Sequence, residues 1–300
     1  MENIYSAMIP AEGVITVAGE KIDYCFAKDE MAAVHSGYAL GIACLVKDII
    51  YQINSLNRIG IYDFVITGHS QGGALATLLR AYLENVSHNE LSEQNKFKTY
   101  TFAAPMVGNK FFAAEYDKRF AAPNTSFSIV NASDPIPGLP MSYNDTNYLA
   151  DNVKAFLFDR ESFSIRKMIT DGGALLMEGK LSQWTKRFGA SASKRIEKNL
   201  GPVEMPEYVS DINYKTVNNR VELTPFEYPK ILRDSSILQN DSLMTFYKRD
   251  SNGNFLDEKL YAKGSWGYQH KPYNYYVGVL KHYFPASYDT LKTKYLAENL

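Results

Sequence analysis

Between residues 13 and 132, short apolar runs alternate with apolar stripes that have helical spacing. Short runs bounded by turn residues are typical of buried strands. Four such runs predict strands: GVITVAG (13–19), IYDFVITG (61–68), KTYTFAAP (98–105) and SFSIVNA (126–132). Between them, apolar residues recur every three or four positions, as on one face of a helix. These stripes predict three helices: one over 42–53, one from 71 to about 86, and one over 109–120.

Strands that alternate with helices predict an α/β fold with a mostly parallel central sheet flanked by helices. The alternation ends after Pro140, and residues 150–265 are more polar and less periodic. We therefore expect a core built from 1–149 and 266–300, with 150–265 as a large insertion or cap.

Two features stand out within this predicted insertion. Residues 173–200 have the pattern of a helix, and Asn252-Gly253 lies between two strand-like runs, which predicts a β-hairpin turn. The stretch 166–198 carries eight basic and three acidic residues. It is either a solvated helix face or a surface that contacts anionic lipid or covers a binding groove.

Composition narrows the function classes. The chain has 300 residues, 45% of them hydrophobic, and a net charge of −1, which is typical of a globular protein and gives no support for nucleic-acid binding. No apolar run approaches the roughly 20 residues of a membrane span, and no secretory signal is evident at Met1. We therefore expect a cytoplasmic protein or one exported by another route. Cys25 and Cys44 lack metal-site spacing, so we expect buried thiols, no metal and no cofactor.

The segment Gly68-His69-Ser70-Gln71-Gly72 fits the pattern G-x-S-x-G. A predicted strand leads into it and a predicted helix leads out, which is the context of a nucleophile elbow. There, Gly68 and Gly72 would allow the strand and helix to approach closely, and the amide of Gln71 would stabilise an oxyanion. The alternative is that Ser70 only caps the helix.

A serine nucleophile needs a base and an acid, which in such hydrolases follow it in the order acid, then histidine. Asp134 comes just after the strand predicted at 126–132, although it also fits a turn residue before Pro135. Of the five histidines, His270 and His282 follow it. Position favours His270, which lies in a loop-like stretch, over His282, which we expect on the final helix.

Five segments together resemble the class 3, fungal-type lipases, whose motifs occur in the same order. These segments are VHSGY (34–38), VITGHSQGGALATL (65–78), TFAAPMVGN (101–109), NASDPIP (131–137) and HKPY (270–273). The resemblance implies an α/β-hydrolase fold. It also implies that Ser70 is the nucleophile, Asp134 the acid and His270 the base.

The resemblance also implies an oxyanion donor in a Gly-Thr or Gly-Ser pair at the end of the strand before VHSGY. The corresponding stretch here is VITVAGEK, which places Glu20 at that position without a donor hydroxyl. We therefore expect Gln71 and the backbone at Glu20 to form the oxyanion hole.

The function implied is hydrolysis of acyl esters of lipids, either acylglycerols or phospholipids, through an acyl-enzyme. Two alternatives stay open. The unusual Glu20 fits a catalytically silent lipase-like binding protein, and the same triad would serve an acyltransferase.

Overall fold

The computed structural model describes residues 7–140, 201–211, 213–262, 264 and 267–296. They form two compact units that divide between Leu223 and Thr224. The predicted helix at 173–200 and the basic stretch 166–198 lie outside the described residues and stay predictions.

The first unit contains eleven described strands and three α-helices. In chain order they are β1 (Met8–Pro10), β2 (Glu12–Val17), β3 (Glu20–Cys25), β4 (Ala33–His35), α1 (Ser36–Asn57), β5 (Asp63–His69), α2 (Gln71–Leu83), β6 (Lys96–Phe102), β7 (Gly108–Asn109), α3 (Lys110–Tyr116), β8 (Ser126–Asn131), β9 (Val203–Glu204), β10 (Tyr214–Lys215) and β11 (Arg220–Leu223). A short π-helical turn, Asp117–Ala121, follows α3, so the helix predicted over 109–120 changes its winding near its end.

The central element is a parallel sheet in the order β11-β8-β6-β5. Helix α2 packs on one face, where the side chains of Phe64, Ile66 and Phe97 meet Leu83. The strands predicted at 61–68, 98–105 and 126–132 are therefore present, as is the helix from residue 71. This arrangement confirms the predicted α/β class, and it places the carboxyl ends of β5 and β8 on the same edge of the sheet.

Two smaller antiparallel sheets complete the first unit, in the orders β1-β4-β7-β10 and β3-β2-β9. Strands β2 and β3 form a hairpin whose two turn residues, Ala18 and Gly19, both have positive φ angles of 50° and 83°. Such a pair matches the right-handed twist of the flanking strands. Strand β2 corresponds to the strand predicted at 13–19.

The boundary of the predicted insertion differs from the observed one. Strand β11 pairs in parallel with β8, with Leu223 opposite Asn131, and β9 and β10 join the antiparallel sheets. Residues 203–223 thus belong to the first unit rather than to a separate 150–265 region. The expectation missed them because these strands are only two to four residues long and carry no periodic signal.

Helix α1 is the longest helix among the described residues and forms part of the core. Its inner face buries Tyr38, Ile42 and Val46, and it packs against α2. By length and composition alone, its 22 residues could also cross a membrane. The sequence analysis did not identify α1 as a possible membrane span, because polar residues interrupt the apolar runs of this helix. The buried inner face is that of a core helix.

The second unit, described over most of 224–296, has its own small core of Ile237, Phe255 and Tyr261. Its helices are α4 (Asp241–Phe246), α5 (Pro272–Tyr283) and α6 (Pro285–Thr290), with short 3₁₀ turns at Ser235–Gln239, Glu258–Leu260 and Tyr268–His270.

The chain reverses at Asn252-Gly253, as predicted, and Gly253 has a φ of +84°. The runs on either side meet in one isolated antiparallel bridge, between Arg249 and Phe255, instead of full strands.

Candidate active site

Ser70 lies between the last residue of β5 and the first residue of α2. Its backbone has φ 57° and ψ −128°, a combination that L-residues rarely adopt. The amide of Ser70 donates to the carbonyl of Phe102 (2.9 Å), and its carbonyl accepts from the amide of Gly73 (2.8 Å). Contacts on both sides therefore hold this strained conformation, which is typical of functional sites.

The side chain of Ser70 makes no capping hydrogen bond to α2. The backbone carbonyl of Ser70 takes up the helix amides of Gly73 and Ala74 instead. The interpretation of Ser70 as a simple helix cap is therefore wrong, because its hydroxyl does not perform that task.

The glycines around Ser70 have different roles from those expected. A Cβ on Gly68 would overlap the carbonyl group of Gly72, so a side chain is excluded there. A Cβ on Gly72 would meet nothing within 4 Å, contrary to the expectation that both flanking glycines avoid clashes. Gly73 is the second constrained position, because its Cβ would come within 2.8 Å of the Ala104 Cβ. The Gly-Gly doublet was the only sequence signal for it.

Gln71 begins α2, a helix of 13 residues. Helix N-termini carry partial positive charge and amides that point outward. The amide of Gln71 therefore has the position expected of an oxyanion donor next to Ser70.

Asp134 follows β8 by three residues and is fully buried, with 0% of its surface exposed. Its Oδ1 accepts from the amide of Ile136 (3.0 Å), and its own amide donates to the carbonyl of Asn131 (2.9 Å). Asp134 is thus a turn residue, but the turn also fixes a carboxylate at the carboxyl edge of the sheet. A buried carboxylate lowers the stability of the folded protein unless it is paired. A carboxylate in such a position is typical of a functional site.

Ser70 and Asp134 lie at the same sheet edge, because β5 and β8 run parallel with β6 between them. Two strand spacings separate β5 from β8 by about 10 Å. This spacing leaves room for an imidazole between a hydroxyl and a carboxylate.

His270 belongs to the second unit, where it ends the 3₁₀ turn just before α5. Gln269 anchors this turn: its buried amide group accepts from the backbone of Phe226 (3.0 Å) and donates back to it (2.9 Å). His282 is exposed in the last turn of α5, with its ring 4.5 Å from that of Tyr283. The predicted local settings of the two histidines, turn and helix, are confirmed.

Glu20 does not occupy the position that the resemblance implies. It begins β3, directly after the hairpin turn, and its exposed carboxylate pairs with Lys47. The strand that precedes VHSGY in the chain is β3, which ends at Cys25 rather than at Gly19. The prediction overlooked β3, although its alternating sequence EKIDYC is a typical strand pattern.

Neither cysteine is fully buried: Cys25 is half-buried and Cys44 is exposed on α1, contrary to expectation. Within the described ranges, no group of three or more His, Cys, Asp or Glu side chains has the geometry of a metal site. Asn131, which begins the glycosylation-like triplet Asn-Ala-Ser, is only 5% exposed and sits in the turn before Asp134. Its side chain is therefore not placed to carry a glycan.

Residues 14–144 match the model of the family described as lipase (class 3). A Caenorhabditis elegans lipase is 37% identical over 94 residues, covering 31% of this chain and 25% of that protein. A secreted mono- and diacylglycerol lipase of Fusarium solani is 33% identical over 110 residues, covering 36% of this chain and 29% of that protein. The matched region thus spans between a quarter and a third of these relatives.

Among solved structures, the M37 lipase aligns with a TM-score of 0.46 and 20% identity, covering 81% of this chain and 63% of that one. Lipase II from Rhizopus niveus aligns with a TM-score of 0.33 and 28% identity, covering 40% and 43%.

Proposed function

Because residues 14–144 match the family model described as lipase (class 3), we propose that this protein is a serine ester hydrolase that cleaves acyl esters of lipids. The observation that carries the proposal is the strained backbone of Ser70 at the junction of β5 and α2, with a hydroxyl that does not cap the helix. An unfavourable backbone conformation at Ser70 brings no benefit to packing, whereas a nucleophile elbow requires it.

In the proposed mechanism, the imidazole of His270 accepts the proton of the Ser70 hydroxyl while Oγ attacks the carbonyl carbon of the ester. The amide of Gln71 stabilises the negative charge that develops on the carbonyl oxygen. Collapse of the tetrahedral intermediate breaks the bond to the alcohol, which leaves with the proton held by His270. Asp134 orients the imidazole and stabilises its charged form.

Water then attacks the acyl-enzyme and gives one proton to His270. The second tetrahedral intermediate releases the fatty acid, and Ser70 recovers its proton. Each cycle consumes one ester and one water and returns the enzyme unchanged.

We propose acylglycerols as the substrate class. The relatives that this chain matches include proteins named mono- and diacylglycerol lipases and triacylglycerol lipases. Phospholipids are the second candidate substrate class. The basic stretch 166–198 supports them, because basic residues favour contact with anionic lipid. Fatty-acid release from diacylglycerol, as monomers and as an emulsion, and from phosphatidylglycerol, as monomers and as vesicles, distinguishes the two.

The test of the mechanism is the Ser70→Ala variant, with Ser251→Ala in the exposed turn of the second unit as the matched control. We expect Ser70→Ala to lose at least about 10³-fold in hydrolysis of p-nitrophenyl butyrate and to lose labelling by a fluorophosphonate probe. Ser251→Ala should keep both. Equal turnover by Ser70→Ala and wild type would reject the proposal. A folded wild type without labelling would favour the silent binding protein, and ester products formed with added alcohols would favour the acyltransferase.

A further inference from the structure

The turn that carries Asp134 is built around Asn131, a residue to which the mechanism above gives no role. We propose that Asn131 is a positioning residue that holds Asp134 in place through the turn 131–134. This inference rests on the proposed function, because it concerns the acid of the proposed triad.

Asn131 holds the turn with two acceptors at once. Its side-chain Oδ1 accepts from the amide of Ser133 (2.9 Å), and its backbone carbonyl accepts from the amide of Asp134 (2.9 Å). The side chain is 5% exposed, so bulk water does not replace the first bond easily. Asn131 therefore accepts hydrogen bonds from the amides of both Ser133 and Asp134.

The position of Asn131 is itself fixed by the parallel sheet. It is the last residue of β8 and stands opposite Leu223 of β11. Because Asn131 is fixed in the strand, the turn that it forms also fixes the position of Asp134, three residues later. Asp134 then closes a second turn of the same kind, through Oδ1 and the amide of Ile136.

The requirement at position 131 is a short side chain with an acceptor at the right distance. Asn and Asp form such turns well, and Ser forms them more weakly. Asp would keep the acceptor but add a charge beside Asp134, whereas Ala would remove the acceptor. These three replacements separate the turn geometry from the local charge.

The experiment measures kcat, KM and the pH profile of kcat/KM for Asn131→Ala, Asn131→Ser and Asn131→Asp. Active enzyme is counted by total fluorophosphonate labelling, so a misfolded fraction does not enter kcat. Asp234→Ala is the control, because the side chain of Asp234 makes the same kind of turn with the amide of Ser236 (2.9 Å) at an exposed position of the second unit.

We expect Asn131→Ala to lower kcat about 10- to 100-fold, with KM within about threefold of wild type, because displacing an acid by an ångström misaligns its base. Asn131→Ser should recover part of this loss. In Asn131→Asp the added charge stabilises the imidazolium, so the acidic limb of the profile should move to higher pH. Asp234→Ala should retain the wild-type kcat and pH profile.

Two outcomes overturn the inference, and they are distinguishable. If wild type is labelled at Ser70 and all three Asn131 variants keep its kcat and pH profile, Asn131 has only a structural role. If folded wild type is not labelled at Ser70, the proposed function fails and the inference falls with it.

Discussion

The imidazole of His35 stacks on the ring of Tyr38, with the ring centroids 3.8 Å apart and the planes 16° from parallel. His35 also caps α1, because its Nδ1 accepts from the amides of Gly37 (3.1 Å) and Tyr38 (3.3 Å). The cap requires an unprotonated Nδ1 and therefore a neutral imidazole. Burial accordingly lowers the pKa of His35 from 6.5 to about 3.

This cap predicts a loss of stability in acid. Between pH 6.5 and about 3 the unfolded chain binds a proton at His35 that the folded chain does not. The free energy of unfolding contributed by this group is therefore complete above pH 6.5 and falls by up to about 1.4 kcal/mol per pH unit below it.

The test compares urea unfolding of wild type and His35→Asn at several pH values from 4 to 8. Asn keeps a capping oxygen but has no ionisation in this range. We expect the stability difference between the two to shift in favour of His35→Asn as the pH falls from 6.5 to 4. Parallel curves over that range would show that His35 is not the titrating group.

The elbow glycines predict opposite outcomes for two neighbouring substitutions. Gly68→Ala should destabilise the fold by more than about 3 kcal/mol and abolish labelling of Ser70, because the new Cβ overlaps the carbonyl of Gly72. Gly72→Ala should change the free energy of unfolding by no more than about 1 kcal/mol. Gly72 lies within α2, and a Cβ there would meet no other atom within 4 Å. Thermal unfolding and probe labelling measure both effects. Equal damage from both variants would contradict the geometry.

A buried cation holds the C-terminal end of α2 against the sheet. Arg80 donates to the carbonyl of Phe97 (2.8 Å), pairs with Glu84 (2.8 Å) and lies over the ring of Phe120 (4.7 Å). Arg80→Met should lower the free energy of unfolding by about 3 kcal/mol. The carbonyl of Phe97 loses its buried donor, and the carboxylate of Glu84 loses its partner.

The matched control for Arg80 is an exposed ion pair. Lys47→Met removes the partner of Glu20, where both side chains are more than half exposed. Such pairs contribute at most about 1 kcal/mol. The denaturant midpoint of Arg80→Met should therefore be clearly lower than that of Lys47→Met. Similar midpoints would show that the bonds of Arg80 contribute little to stability.

The sequence predicted the part of the fold in which local pattern and tertiary structure agree. β5, α2, β6 and β8 are long enough for their periodicity to be visible, and the elbow sequence around Ser70 requires one backbone conformation. The glycine roles were predicted less well. Which glycine has a close neighbour depends on Ala104, which is distant in sequence, so only the structure could separate Gly72 from Gly73.

The contribution of residues 203–223 could not be predicted for a different reason. Strand β11 is four residues long, and its place beside β8 is decided by pairing across almost ninety residues of chain. The positioning role proposed for Asn131 was likewise hidden, because the triplet that contains it also fits a glycosylation pattern. Burial, which the sequence does not report, separates these interpretations.

The pairing of β8 with β11 bears on the order in which a nascent chain matures. During synthesis, β8 leaves the ribosome long before residues 220–223 are made, so one side of it initially lacks its parallel neighbour. An incompletely paired strand is a site for wrong association between chains. The loop with Asp134 thus acquires its final support only late in translation, and a ribosome stalled before residue 223 would display an unfinished sheet.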